Sequence, residues 1–311
     1  MPRARVVSFI NYKGGVGKTT TTYHVGCSLA QHLGKKVLLV DIDPQTNLTF
    51  LCALVETWEE FKKKTGTIKS MYQRFLEKKA LETKRFIWRA PVSVGRQRIL
   101  NLDLIPCDID LLGEDLGGGQ ISGTFPTIEL LKRQADEYLR DRRFILRALR
   151  EVQEDYDYIL IDCPPNLYLM TQNALVASHF YVITTIPDHL STIGLNILQN
   201  KVGKIGDLLK AAQTFAGHAD HSLKIAKLGG IIFVRVRIGG TVVVRFHADT
   251  MARVRSQNAG LCFDTFTTEL IGYTEAAEST APVWMHSTAN AARAASKKEY
   301  VKITQEFVDR F

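Results

Sequence analysis

Residues 11–22 read NYKGGVGKTTTT. The generic phosphate-binding loop is G-x-x-x-x-G-K-[ST], and counting back from Gly17-Lys18-Thr19 its leading glycine belongs at position 12. Position 12 is Tyr12, and a second lysine, Lys13, follows it. The rest of the pattern is intact. Gly14, Gly15 and Gly17 permit positive φ and close backbone approach, and Val16 and Thr20 complete the loop. Lys18 has the reach for β- and γ-phosphates, and Thr19 can turn its hydroxyl to Mg²⁺. A glycine-rich turn that opens a helix also aims backbone N–H groups and the positive end of the helix dipole at one point, which suits a polyphosphate.

Working outward from the loop, short β-branched runs alternate with helical stretches, as in a parallel sheet covered on both faces. Strands are expected at Arg5–Ile10, Val37–Ile42, Leu100–Ile105, Tyr158–Asp162, Tyr181–Thr185, Leu228–Val234 and Leu261–Phe266. Helices are expected at Lys18–Leu33, Arg140–Glu154, Met170–Ala177, Thr192–Phe215, Thr241–Asn258 and Ala291–Phe311. The fold class is therefore α/β, a mostly parallel twisted central sheet with helices on both faces. Two stretches interrupt the alternation. Residues 56–98, rich in lysine and aromatics, read as a helical excursion, and residues 113–132, containing LGGGQISGTFP, as a mobile loop.

Two strand ends carry carboxylates, Asp41 and Asp43 in VLLVDIDPQ and Asp162 in YDYILIDCPP. At the carboxyl edge of a parallel sheet these lie beside the phosphate loop, where ligands bind in such folds. An aspartate after a strand is by itself often a cap or turn residue. Three of them together with the loop suit magnesium and water.

The chain has 311 residues, 45% hydrophobic and 23% charged, which fits one large globular domain or at most two. Its five cysteines are odd in number and never form C-x-x-C, so neither a disulfide framework nor a zinc site is expected. No apolar run approaches the roughly 18 residues of a membrane span, and a soluble, cytoplasmic protein is expected. The formal net charge is +8, and residues 201–260, with ten basic and three acidic residues, hold +7 of it.

On KGGVGKTTTT, VLLVDIDPQTNLT, LDLIPCDIDL, YDYILIDCPPNLYLMTQNAL and, more faintly, EAAESTAPV, the chain resembles the ParA/MinD family of deviant Walker A ATPases. Within it the likeness is greatest to the ParA-type partition ATPases. The resemblance implies a single P-loop ATPase domain over residues 1–311, with no separate N-terminal DNA-reading domain. It implies ATP and Mg²⁺ as cofactors and slow, partner-stimulated hydrolysis. Lys13 would reach across a two-fold homodimer to the partner's nucleotide, a charge supplied in trans as an arginine finger supplies one. Asp43 would position the attacking water, and Thr19 and Asp162 would hold the magnesium shell. Switch segments would run over residues 43–47 and 163–168, and Pro282 would border the base. The asparagine that some relatives use for adenine is missing from GGIIFVRVRIGG.

The basic segment fits a dimer that binds DNA without sequence preference, since Lys and Arg neutralise phosphates irrespective of base. Arg235, Arg237, Arg245, Arg253 and Arg255 lie in the region where the family binds DNA. Arg245, Asp249 and Arg253, spaced by four, also fit a solvated helix face. Another usual arginine is replaced by Gly272. The expected partners are DNA and a ParB-like or other cargo adaptor, the expected location the nucleoid, and the cargo a plasmid, a chromosome or another body. No membrane is expected. The alternatives are a MinD-like membrane-positioning ATPase, for which Tyr300, Ile303, Phe307 and Phe311 would form the apolar stripe, and a metabolic or redox relative of the same fold.

Overall fold

The computed structural model describes residues 4–113, 127–217, 223–240, 242–269, 280–285 and 291–311. Six strands form the central sheet: β1 (Arg5–Ile10), β2 (Val37–Asp41), β5 (Leu102–Ile105), β6 (Tyr158–Asp162), β7 (Phe180–Thr185) and β8 (Lys227–Phe233). Their spatial order is β5-β2-β6-β1-β7-β8, and every pairing is parallel.

Alternation along each strand sends neighbouring side chains to opposite faces. Val6 and Ile10 of β1 and Leu38 and Val40 of β2 join one apolar cluster, while Val7, Phe9, Val37 and Leu39 join another. The first cluster is covered by α4 (Ile68–Leu76), α6 (Phe144–Arg150), α7 (Leu169–Ala177), α8 (His189–Phe215) and α9 (Arg245–Gln257). The second is covered by α1 (Lys18–His32), α2 (Asn47–Cys52) and the last helix, α10 (Ala291–Arg310). Both faces being covered, β2 and β6 are buried along their whole length, and this is why they read as uninterrupted apolar runs.

The apolar stripe of α10 belongs to the core. Tyr300, Ile303 and Phe307 are buried, and the Phe307 ring stacks on Phe9 of β1 at 6.2 Å between centroids. Among the described residues no helix is long and apolar enough to cross a membrane.

Five expectations are corrected. Leu261–Phe266 is not a sheet strand: it makes a single bridge, Ile231 to Cys262. Phe263 N–H donates to Ile231 O, but the next two N–H groups, of Asp264 and Thr265, go to the Glu306 carboxylate on α10, so the ladder stops. The helix expected over 140–154 is the end of α5 (Ile128–Asp141) and then α6, with a break at 142–143. Asn173 of α7 makes this break by donating to Asp141 O and accepting from Ile145 N–H. Beside it the buried Arg142 guanidinium lies 3.3 Å from the Tyr138 ring centroid and donates to Gln172.

The excursion at 56–98 is helical only in α3 (Val55–Thr65), α4 and a 3₁₀ turn at Thr83–Phe86. It then becomes a hairpin of β3 (Ser93–Val94) and β4 (Gln97–Arg98). Of the loop expected at 113–132, residues 114–126 lie outside the described residues, and the remainder is helix from Ile128, capped by Thr127 accepting from Leu130 N–H. A small hairpin, β9 (Ile238–Gly239) with β10 (Val242–Val243), precedes α9, which starts four residues later than expected.

α1 is tied to the far end of the chain through His24. Its ring stacks on Tyr300 at 4.6 Å and meets Trp284 edge-on at 5.6 Å. Nδ1–H donates to Thr20 O and Nε2 accepts from Val283 N–H, which fixes the neutral tautomer. Burial pushes its pKa down to about 4. Below the ordinary histidine value near 6.5 the unfolded chain therefore takes up a proton that the folded chain refuses. Stability contributed here is full above pH 6.5 and is lost as pH falls toward about 4, by about 3 kcal/mol in all. His24→Phe, with nothing to titrate, should be less stable at pH 7 and show a flatter decline over that window in urea unfolding. An unchanged slope would show that His24 does not couple folding to protons.

Candidate nucleotide-binding site

The loop leaves β1 at Asn11, whose side chain donates to Thr184 O on β7 at 2.8 Å and accepts from Lys13 N–H at 3.0 Å. The start of the turn is thereby fixed to two neighbouring strands. Gly15 and Gly17 have φ of +72° and +71°. Gly17 is the residue before the first turn of α1. No side chain caps that turn and no acidic residue lies in it, so its N–H groups and the positive helix end remain available to an anion.

Lys18 is buried and its ammonium donates to Lys13 O at 3.2 Å, across the loop. Burial lowers its pKa, against the pull of Asp162 and Asp43. Thr19 Oγ1 donates to Asp162 Oδ2 at 2.7 Å, and Thr22 Oγ1 lies 3.4 Å from the other carboxylate oxygen. Asp162 is fully buried, and desolvation, with Asp41 beside it in sheet register, holds its carboxyl well above the usual carboxylate range. Asp43 is raised by burial and opposed by its bond from Gln45 N–H and by Lys18. Asp41 plays a different part. It accepts from Thr49 N–H, Thr49 Oγ1 and Asp43 N–H, and so clamps the turn that presents Asp43.

The site thus holds three buried carboxylates against one buried lysine. The oxygen donors of Thr19, Asp43 and Asp162 fit a small hard cation that takes few protein ligands and keeps water and phosphate for the rest, as Mg²⁺ does. A cavity of about 930 Å³ opens over the loop, lined by Gly14 to Thr21 and Asp43 and also by Gln45, Asn47, Phe50, Thr267 and Glu269. Gln45 and Asn47 fall within the expected switch segment 43–47. Thr267 and Glu269 had no sequence signal, since only tertiary packing brings them to the loop.

Lys13 does not line this cavity. Its ammonium lies 3.6 Å from Asp188 Oδ1 and donates to Ser191 Oγ at 3.3 Å, at the start of α8. The ring of Tyr12 lies against α8 at Gly194, where a Cβ would stand 2.0 Å from the phenol oxygen. Position 12 therefore carries an aromatic docked on a helix rather than a glycine of the turn.

Pro282 is buried next to Val283, whose N–H donates to His24 of α1, and is not among the residues lining the cavity. The five arginines separate. Arg235 lines the cavity and shares the Glu269 carboxylate with Arg237. Arg255 is a brace of the fold, donating to Phe263 O and Asp264 O. Arg245 is 95% exposed on α9, 3.9 Å from Asp249, and Arg253 is exposed two turns further on. Gly272 lies outside the described residues.

A family model described as an AAA domain matches residues 4–214. The sporulation initiation inhibitor protein Soj of Bacillus subtilis is 35% identical over 198 residues, 64% of this chain and 64% of that protein. The chromosome-partitioning ATPase Soj of Treponema pallidum is 27% identical over 306 residues, 98% of each chain. Among solved structures, a plasmid partition protein of Borrelia burgdorferi B31 bound to AMPPNP superposes with a TM-score of 0.63 at 20% identity, covering 100% of both chains. That likeness is one of fold.

The loop geometry predicts the effect of Gly17→Ala. The left-handed φ disfavours any Cβ, and this one would meet Val234 Cγ2 at 3.2 Å. The substitution should cost about 1–2 kcal/mol in denaturant unfolding, where Gly14→Ala, with open space around its Cβ and ordinary φ, should cost less. Equal costs would mean that the arch is not held as described.

Proposed function

Because the chain belongs to the ParA/MinD family of P-loop ATPases, we propose that it is a partition or positioning ATPase that binds DNA as an ATP-dependent homodimer. The loop N–H groups and Lys18 hold the phosphates, and Asp162 accepts the Thr19 O–H, which leaves the lone pairs of that hydroxyl oxygen for a cation. Thr19, Asp43 and Asp162 would hold Mg²⁺, which would supply charge neutralisation to the transferring phosphoryl group. Asp43 orients the attacking water, and the turn clamped by Asp41 keeps its carboxylate at the cavity. Such positioning chemistry is slow until a partner completes it. A ParB-like or other cargo adaptor is the partner we propose, acting on a nucleoid-bound dimer and releasing it by stimulating hydrolysis.

The observation that carries this reading is the position of the second lysine. Lys13 belongs to the phosphate loop, yet its ammonium points out of its own cavity toward α8. In the single chain Asp188 and Ser191 hold this ammonium away from its own phosphate site, and in the reading proposed here it exchanges these partners for the nucleotide of a neighbouring subunit. Lys13→Ala should abolish the ATP-dependent dimer, read by light scattering, and reduce hydrolysis at least tenfold while the monomer stays folded. A variant that dimerises and turns over normally would remove Lys13 from the mechanism.

DNA contact rests on the exposed arginines of α9. Arg245→Glu with Arg253→Glu should weaken binding to unrelated duplexes alike and reduce the salt dependence, leaving DNA-free hydrolysis nearly unchanged. Cosedimentation of the native protein with duplex DNA or with anionic liposomes, each with ATP and with ADP, tests the surface on which the cycle runs. Recovery with DNA and ATP only is expected, and ATP-dependent recovery with liposomes alone would overturn the proposal in favour of a membrane cycle.

A further inference from the structure

Arg235 follows Val234, the residue that closes on Gly17, and its φ is +54°, in the left-handed region that non-glycine residues rarely occupy. Three bonds hold the segment there: Arg235 N–H to Thr267 Oγ1 at 3.3 Å, Val236 N–H to Thr267 O at 2.8 Å and Glu269 N–H to Val236 O at 3.1 Å. The outcome is a guanidinium set against the phosphate loop. Its Nη1 lies 3.5 Å from Gly15 O, long for a hydrogen bond but close for a cation facing a carbonyl dipole. Its Nη2 donates to Glu269 Oε1 at 3.0 Å, and the other oxygen of that carboxylate holds Arg237 Nε at 2.8 Å.

We propose that Arg235, oriented by Glu269, is a positioning residue for the phosphate loop rather than a DNA contact. In a trans peptide the C=O and the following N–H point in opposite directions. A cation on Gly15 O therefore turns the Val16 N–H to the other side of that peptide, into the curve of the loop where an anion is held. Backbone strain persists where the surroundings over-determine it, and here the Thr267 bonds hold the Arg235 backbone while the Glu269 carboxylate holds its guanidinium. Sharing one carboxylate with Arg237 also makes both cations poorer candidates for DNA phosphates than Arg245 and Arg253. This inference rests on the nucleotide reading above.

Arg235→Gly is the informative variant, because glycine adopts the left-handed backbone without strain, so the fold is kept while the guanidinium is removed. Titration calorimetry with ATP and with ADP, without DNA, should show about fivefold to twentyfold weaker binding of both. Steady-state hydrolysis should show a raised KM with kcat changed little. Arg235→Lys, which keeps a cation, should recover most of the loss. Glu269→Gln should weaken ATP binding by a smaller factor, and adding it to Arg235→Gly should weaken binding no further, since the two act through one contact. Lys18→Ala in the same assay separates the two readings: retention of ATP affinity there would overturn the nucleotide site itself. Loss with Lys18→Ala but wild-type affinity with Arg235→Gly would overturn the role of Arg235 alone. Wild-type nucleotide affinity together with weakened DNA binding in Arg235→Gly would return Arg235 to the DNA surface.

Discussion

The register of β1 against β6 sets Phe9 beside Asp162, and the chemistry at the sheet edge depends on it. With Phe9 one residue from the end of β1, the chain has room to turn through the glycines and re-enter as α1 at a point where Thr19 Oγ1 meets Asp162 at 2.7 Å. A slip of one residue would turn Asp162 to the other face and leave the buried Thr22 hydroxyl without its second acceptor. The pairing is secured by burial on both faces, so that packing of side chains far from the site holds the site in place.

That placement carries an electrostatic cost. Asp41, Asp43 and Asp162 are all withdrawn from water, and burial pushes every one of them upward in pKa, Asp41 to about 7. Asp41 is partly compensated by three hydrogen bonds, whereas Asp162 has hydroxyl partners and the attraction of Lys18. An edge built with excess negative charge inside and uncapped helix N–H groups at its rim suits a ligand that brings both signs, a polyanion with its metal. The positive charges of Arg235 and Arg237 are arranged in the opposite manner, with one carboxylate serving two cations.

What was legible in the sequence and what was not divide by the range of the forces involved. β1 and β6 could be read with their ends because strands buried on both faces are continuous apolar runs bounded by polar turns. The phosphate loop was legible because its chemistry requires named residue types at fixed spacing. The segment 261–266 has the composition of a strand, yet its N–H groups are claimed by Glu306, more than forty residues later. The break after Asp141 is made by Asn173 of another helix, and Glu269 reaches the loop only through the packing of residues 267–269 on 234–236. None of these partners leaves a periodic trace. Arg255 had the charge of a DNA contact, and only its position over backbone carbonyls shows that it serves the fold.

The position of β1 at the middle of the sheet has a consequence for the newly made chain. The strand that carries the phosphate loop is made well before its two neighbours, which begin at Tyr158 and Phe180, and before α10, which packs on α1 and starts at Ala291. Synthesis at roughly 5–20 residues per second therefore leaves β1 unpaired for many seconds, an apolar edge open to wrong partners until the second half of the chain emerges. Pairings this distant in sequence also make folding slow relative to helical proteins of similar size. Nucleotide-binding competence is in this sense acquired late: the most recognisable stretch of the chain is made long before the strands that hold it in its working shape.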